Sequence, residues 1–428
     1  MSSLPRLLVL ALVLLLLPLW TQRPAHAQGP DPDRDPQAQQ APASRYRISL
    51  LTVSPGDEFE ERLGHSALAV EDLKTGKEVA YNFGTFGATD NLVFKFLHKK
   101  LQFWVSAMNP GEVAVRYAGR EIRVQELALS ESQAGRLATM LEQRVRPEDR
   151  NFDYDLYTAN CVTPIRDVLD VAMDGALRRH TNVPANETYR QVIMHGLRTM
   201  PLLGAFSALA YGTYTDEERS RWELLFMPDR LHDALAEMQS SAAAGGPLVR
   251  REKSWRGEGF TALSTLPDPR LGAAALGILI LAGLLCLLSP QRRQTGRSLL
   301  GASGIALALI YGGLGAALYY LGYSAHESVH HNANRYLFNP LDLTLVPLLL
   351  LLTLGRLRPN RVRVLLLLLG GTTALALSHL FVGHALGLCR QQHSGVLEWA
   401  MLGRVLLWGC VGAMLWSLRK HPRQPRSA

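Results

Sequence analysis

Cys161 and His65 are the two residues of this 428-residue chain whose types could carry out covalent chemistry together. Cys161 is the only cysteine before Cys286, and it follows Asn160 at the start of a predicted amphipathic helix. His65 stands at the beginning of a predicted strand. The aligned N–H groups of a helix start and a nearby imidazolium would each lower the pKa of a thiol. The pair therefore predicts a cysteine nucleophile with a histidine base.

Two asparagines complete the predicted site. A catalytic histidine usually needs a polar group that orients its ring, and Asn82 on the following strand is the candidate. The side chain of Asn160 and the backbone N–H of Cys161 are the candidate donors for an oxyanion. Taken singly, a buried structural role is the commoner explanation of a lone cysteine or histidine. A catalytic role is favoured here because Cys161 can pair with His65, because it stands at a helix start, and because the chain has an export signal, described next.

The first 45 residues have the composition of an exported protein. Residues 1–27 combine Arg6, an apolar run and a small-x-small site at Ala25–Ala27, which predicts a signal peptide. Residues 28–45 are rich in Pro, Gln and Asp and predict a disordered linker. No even, closely spaced set of cysteines follows, so the exported part is not predicted to be a disulfide-stapled fold.

Residues 46–270 predict a soluble α+β domain. Alternating apolar and polar residues predict strands at 46–54, 65–72, 78–83, 112–117 and 121–129. A capping box at Ser130 and Gln133 predicts a helix that ends near Arg144, and a second helix is predicted after Cys161. The segment 213–235 is predicted to be helical.

Residues 271–418 predict a membrane domain of five helices. Apolar stretches long enough to cross a bilayer lie at roughly 271–289, 298–323, 337–355, 364–388 and 396–418. The loops at 291–297 and 355–363 and the tail at 419–428 are basic, which places them in the cytoplasm. An odd number of spans then puts the soluble domain outside, where the signal peptide sends it. The net charge of +8 is explained largely by these basic loops, so no nucleic-acid partner is expected.

Several longer strings resemble a known family. The strings LLTVSPGDEFEERLGHSALAVED, YNFGTF, FKFLHKKLQFWVS, RPEDRNFDYDLYTANCVTPIRD and WELLFMPDRLHDAL, over about 46–240, are similar to the periplasmic domain of the Lnb-type bacterial lipoprotein N-acyltransferases. The order of histidine strand, second strand and Asn-Cys helix also resembles the permuted papain-like NlpC/P60 superfamily, which includes lecithin–retinol acyltransferase-like enzymes. His326, Asn332 and Asn334 lie in motifs that resemble the family's C-terminal segment, although Glu327 stands where that segment has proline.

The resemblance implies a permuted papain-like domain, followed by the membrane helices, in an inner-membrane acyltransferase. It implies that Cys161 takes a fatty acyl group from a phospholipid as a thioester, with His65 as the base, and passes it to the N-terminal amine of a diacylated lipoprotein. His326, Asn332 and Asn334 would bind substrate in the outer loop. No cofactor and no metal are expected.

Three alternatives remain open at the level of the sequence. A cell-wall cysteine peptidase or amidase would use the same Cys161 and His65. His326, Glu327 and His330 spell H-E-x-x-H, the zinc-binding pattern of a membrane metalloprotease. A tethered binding module without activity would tolerate loss of the Cys161 thiol.

Overall fold

The computed structural model describes residues 44–58, 61–87, 99–198, 200–241, 246–256 and 293–378, together with Arg404. The predicted signal peptide, the linker up to residue 43, the predicted spans at 271–289 and 396–418 apart from Arg404, residues 379–388 and the basic tail lie outside these ranges.

An antiparallel sheet is the framework of the N-terminal domain. Within the described residues it contains seven strands in the order β6-β4-β3-β2-β1-β5-β9, with each neighbouring pair antiparallel. The strands are β1 Tyr46–Val53, β2 His65–Asp72, β3 Lys77–Thr85, β4 Gln102–Met108, β5 Glu121–Leu127, β6 Asn151–Asp153 and β9 Val249–Arg256. A separate small ladder pairs β7 Pro184–Thr188 with β8 Glu218–Ser220.

Eight helices accompany these strands in the described part of the domain. They are α1 Pro110–Arg116, α2 Glu131–Arg144, α3 Thr163–Ala172, α4 Ala176–Thr181, α5 Tyr189–Gly196, α6 Pro201–Ala210, α7 Arg221–Leu224 and α8 Pro228–Glu237. Helices α2, α3 and α8 cover one face of the sheet, where leucine and isoleucine side chains form the main core. Helix α1 covers the other face through Val113 and Tyr117. The mixed α/β architecture confirms the predicted class at this level.

Two predicted elements of the domain are wrong or incomplete. Residues 112–116 are part of helix α1 and Tyr117 is its C-cap, because Asn109 and Glu112 form a reciprocal capping box and Pro110 occupies the first helical turn. The segment 213–235 contains a 3₁₀ turn, strand β8 and parts of two helices in place of one long helix.

Four helices belong to the described part of the membrane region: α9 Arg293–Leu321, α10 Asn334–Leu337, α11 Val346–Thr353 and α12 Pro359–Leu377. Among the described residues, three stretches are long and apolar enough to cross a membrane: Gln294–Leu321, Asn334–Thr353 and Asn360–Leu377. They match the second, third and fourth predicted spans. Gly315 lets the chain pack closely, since a Cβ there would lie 2.5 Å from the Phe338 carbonyl oxygen.

Candidate active site

The histidine and the asparagine of the predicted site are neighbours on one face of the sheet. Ala67 pairs with Asn82 across β2 and β3, so His65, two residues earlier on β2, lies diagonally beside Asn82. The His65 Nε2 atom is 2.5 Å from Asn82 Oδ1. Asn82 is fully buried, which makes this contact a fixed part of the domain interior.

The hydrogen bonds of Asn82 determine which nitrogen of His65 carries a proton. The Tyr117 hydroxyl donates to Asn82 Oδ1 at 3.0 Å, and Asn82 Nδ2 donates to Thr85 Oγ1 at 2.9 Å. Because Oδ1 is an acceptor, His65 must donate from Nε2, and its Nδ1 atom is left as the basic nitrogen. Tyr117 also stacks on the imidazole, with ring centroids 5.4 Å apart.

Gly84 lies beside both Cys161 and His65. A Cβ placed on Gly84 would lie 3.4 Å from Cys161 Cβ and 3.8 Å from His65 Cε1, so both residues border the same position. The β2–β3 ladder begins at Ala67 and Asn82, and β3 has a register shift between Phe83 and Thr85. The backbone of Gly84 has φ +114°, which L side chains rarely adopt. The end of the sheet is thus shaped to admit Cys161.

A short hairpin and Asn160 hold Cys161 at the start of helix α3. Asp155 and Ala159 exchange two backbone hydrogen bonds of 3.0 Å. Asn160 Oδ1 accepts from the N–H groups of Val162 and Thr163 at 2.8 and 3.0 Å, which satisfies two donors at the helix start. The loop before Cys161 is therefore fixed by the side chain of Asn160.

Asn160, the predicted oxyanion donor, holds the loop through both atoms of its amide. Its Nδ2 atom donates one hydrogen to the Phe226 carbonyl at 2.8 Å, and the side chain is buried. Asn160 therefore positions Cys161, and its part in binding an oxyanion stays a prediction. The backbone N–H groups of Ser66 and of Cys161 itself act to lower the Cys161 pKa, which makes them the candidate donors beside the sulfur.

Burial sets the protonation states of the pair. It raises the pKa of Cys161 to about 11, although the Ser66 and Cys161 N–H groups lower it. It lowers the pKa of His65 to about 4, against the hydrogen bond to Asn82, and the charges of Arg120 and Arg116 lower it further. With these pKa values the thiol and the imidazole are both neutral at pH 7, so the expected lowering of the thiol pKa is not found. Proton transfer must accompany nucleophilic attack.

Arg120 is a member of the site that sequence reasoning missed. Its guanidinium lies 5.5 Å from the centre of the Tyr117 ring. It is buried, donates to the Ser54 carbonyl at 2.7 Å and pairs with Glu61 at 3.0 Å. No pattern in the sequence links Arg120 to the site, because Arg120 follows helix α1 whereas His65 lies on β2. Arg120 therefore supports Tyr117, which in turn hydrogen-bonds Asn82 and stacks on His65.

Two of the predicted substrate-binding residues in the outer loop, Asn332 and Asn334, hold that loop against the soluble domain. Asn332 Nδ2 donates to the carbonyls of Leu209 and Ala210 at 2.6 and 2.8 Å, and Asn334 Nδ2 donates to the Leu209 carbonyl at 2.9 Å. These carbonyls end helix α6, so the two asparagines cap it from the membrane region. His326 is also buried. The two asparagines are therefore placed in the contact between the domain and the loop, and substrate binding by His326, Asn332 and Asn334 stays a prediction.

The H-E-x-x-H residues lack the helical geometry of a zinc-binding motif. His326 and His330 flank a 3₁₀ turn, Glu327–Val329, and both have extended backbone. His330 Nε2 donates to the Ser324 carbonyl at 2.8 Å. An α-helix is what brings the two histidines of this motif to one side, and it is absent at these five residues. The arrangement does not support a metalloprotease.

A buried ion pair ties together the described part of the membrane region. Arg404 pairs with Asp342, donates to Thr372 Oγ1 at 3.1 Å and to the Leu337 carbonyl at 2.5 Å. Both charged side chains are almost completely buried. A charge in an apolar span is costly unless it is paired, so Arg404 joins the predicted third, fourth and fifth spans.

Part of the chain matches a known protein family. Residues 34–195 match the family model described as the Lnb N-terminal periplasmic domain, and this range contains Cys161, His65 and Asn82. No curated protein and no solved structure matches the chain.

Proposed function

Residues 34–195 belong to the Lnb N-terminal periplasmic domain family, and from this premise we propose that the protein is a thiol-dependent acyltransferase. It moves a fatty acyl group from a phospholipid, through a thioester on Cys161, to the N-terminal amine of a diacylated lipoprotein. The observation that carries the proposal is that Cys161 and His65 both lie beside Gly84, with Asn82 holding His65 in the tautomer that leaves Nδ1 basic.

The first half-reaction loads Cys161. His65 Nδ1 takes the thiol proton while the sulfur attacks the ester carbonyl carbon of the phospholipid. The bond from that carbon to the glycerol oxygen breaks, and His65 returns the proton to the departing oxygen. A lysophospholipid leaves, and the acyl group stays on sulfur. The N–H groups of Ser66 and Cys161 stabilise the negative oxygen that forms during the attack.

The second half-reaction transfers the acyl group to nitrogen. The neutral α-amine of the lipoprotein attacks the thioester carbonyl, and His65 accepts one amine proton. The carbon–sulfur bond breaks, and the proton passes to sulfur, which restores the thiol. A thioester suits this step because an amine cleaves it more readily than it cleaves an oxygen ester. The partial burial of Cys161 and His65 limits competition from water.

The docking of the domain on the membrane region supports lipid substrates. Helix α6 is apolar, exposes Phe206, and is capped at its end by Asn332 and Asn334. The family match and the three apolar stretches make the chain a membrane protein with a periplasmic N-terminal domain. We further propose the permuted papain-like fold, the signal peptide at 1–27, the linker at 28–45, five spans in 271–418 and a cytoplasmic tail at 419–428.

A transfer assay tests the proposal. The purified full-length protein is mixed with phospholipid and a synthetic peptide that begins with diacylglyceryl-cysteine, and the peptide is analysed by mass spectrometry. We expect a gain of one acyl group on the α-amine, and no gain with Cys161→Ala or with an N-acetylated peptide. Cleavage of cell-wall peptides by wild type, without acylation, would support the peptidase alternative, which uses the same Cys161 and His65.

A further inference from the structure

A polar cavity of about 380 Å³ lies between the soluble domain and the outer loop of the membrane region. Lys100 and the Asp155–Ala159 hairpin contribute one side, and Glu327, His330 and His331 contribute the other. The hairpin ends two residues before Cys161, so a ligand in this cavity would lie next to the segment that carries the nucleophile. The size is within the range of small-molecule sites.

The domain side of the cavity carries a cation. Lys100 Nζ is 4.0 Å from Asp155 Oδ2, too far for a hydrogen bond, and the lysine side chain is 44% exposed. The other oxygen of Asp155 accepts from Tyr157 N, Thr158 N and Thr158 Oγ1 at 3.1, 3.1 and 2.8 Å. The Asp155 carboxylate therefore makes its hydrogen bonds within the hairpin, and the ammonium group of Lys100 can bind an anion.

The loop side of the cavity carries acceptors. Glu327 has no ion pair among the residues that the structure describes, and its side chain is exposed. Because His330 Nε2 donates to the Ser324 carbonyl, its Nδ1 atom has a free lone pair when the ring is neutral. A carboxylate and an imidazole acceptor on one wall suit a ligand that carries an ammonium group.

Opposite charges on opposite walls fit a zwitterion. We propose that this cavity binds the phosphoethanolamine head group of the acyl donor, with the phosphate at Lys100 and the ammonium at Glu327 and His330. The inference rests on the proposed acyl transfer, because it names the donor that loads Cys161. The membrane region supports the same choice, since the loop joins two stretches long and apolar enough to cross a membrane, Gln294–Leu321 and Asn334–Thr353, and would then lie at the surface from which a lipid head group projects.

Donor selectivity tests the cavity. Full-length protein in detergent is supplied with dioleoyl phosphatidylethanolamine, phosphatidylglycerol or phosphatidylcholine, and the initial rate of acyl-Cys161 formation is followed by intact mass. We expect phosphatidylethanolamine to react about tenfold faster than the other two, the effect of one charge-assisted hydrogen bond. Glu327→Gln should remove this preference, and Lys100→Gln should slow all three donors. Glu148→Gln and Lys74→Gln, exposed positions outside the cavity, are the matched controls.

The outcomes separate the cavity from the proposed function. Equal rates for the three donors, or a preference that survives Glu327→Gln, would overturn the head-group site while acyl transfer stands. Native mass spectrometry of Cys161→Ala with and without Glu327→Gln measures head-group binding without chemistry. Retained phosphatidylethanolamine that falls about tenfold with Glu327→Gln supports the site even where wild type forms no acyl-Cys161. Lipid binding without any acyl-Cys161 in wild type would contradict the proposed acyl transfer and leave the head-group site standing.

Discussion

Replacing Asn82 with alanine should uncouple His65 from Cys161 without removing either residue. Asn82 Oδ1 accepts from His65 Nε2 at 2.5 Å and from the Tyr117 hydroxyl at 3.0 Å. In Asn82→Ala, both donors lose this acceptor in a fully buried place. The imidazole can escape by moving its proton to Nδ1, but that nitrogen is the one that must take the thiol proton. The variant therefore favours the wrong tautomer.

The size of the effect follows from the lost hydrogen bond. A buried donor without an acceptor costs about 1–3 kcal/mol. If the tautomer equilibrium shifts by this amount, the population with a basic Nδ1 falls by about 5- to 150-fold. The same cost, together with the small void, should lower the free energy of unfolding by about 2–4 kcal/mol. Asn82→Asp keeps an acceptor at Oδ1, so it should retain far more activity than Asn82→Ala.

Single-turnover acylation measures the effect directly. Purified variants are mixed with phosphatidylethanolamine, and acyl-Cys161 is followed by intact mass, with thermal unfolding as the control for folding. Thr85→Ala is the matched control, because it removes a partner of Asn82 Nδ2 and leaves Oδ1 in place. A folded Asn82→Ala protein that acylates at the wild-type rate would refute the role of Asn82 in fixing the tautomer.

Four further outcomes are expected. The 240 nm absorbance of wild type minus Cys161→Ala should show thiolate only near the pKa of about 11, and a transition below pH 8 would contradict the neutral pair. Acylation should rise with pH through the histidine pKa of about 4 and stay level to pH 8, and a fall over that range would count against a neutral base. Gly84→Ala should reduce acylation at least tenfold, since the new Cβ meets the thiol side chain at a φ that costs about 1–2 kcal/mol; unchanged single-turnover kinetics would speak against this. Arg404→Met should destabilise the purified protein by about 3–5 kcal/mol in thermal unfolding, with part recovered by adding Asp342→Leu, whereas an additive double variant would argue against the pair.

The central part of the fold was predictable because its strands are local and alternate clearly. Strands β1, β2, β3 and β5 follow the predicted ranges closely. Helix α1 was mistaken for a strand because Val113 and Tyr117 fit both periods, being two residues apart from Val115 and four residues apart from each other. Val115 is largely exposed while the other two are buried, which is the helical pattern. The capping box formed by Asn109 and Glu112 is the signal that distinguishes a helix from a strand at this position.

The contact between His65 and Asn82 was predictable from chemistry and strand order, since neighbouring antiparallel strands bring residues such as Ala67 and Asn82 face to face. The raised pKa of the Cys161 thiol was not predictable. A helix start can be recognised from the local sequence, whereas burial of the thiol depends on the packing of the whole domain. The role of Arg120 and the use of Asn332 for docking depend on contacts between distant segments. Amide side chains cap helices and bind substrates equally well, so their residue types alone could not distinguish the two roles.

The central claim is that Cys161 carries the acyl group. Intact-mass analysis of purified wild type and Cys161→Ala, incubated with phospholipid in detergent and then treated with neutral hydroxylamine, tests it most directly. We expect a fatty-acyl mass on wild type alone that hydroxylamine removes. A folded wild-type protein that has been exposed to phospholipid and carries no such mass, or a mass that remains on Cys161→Ala, would contradict the account.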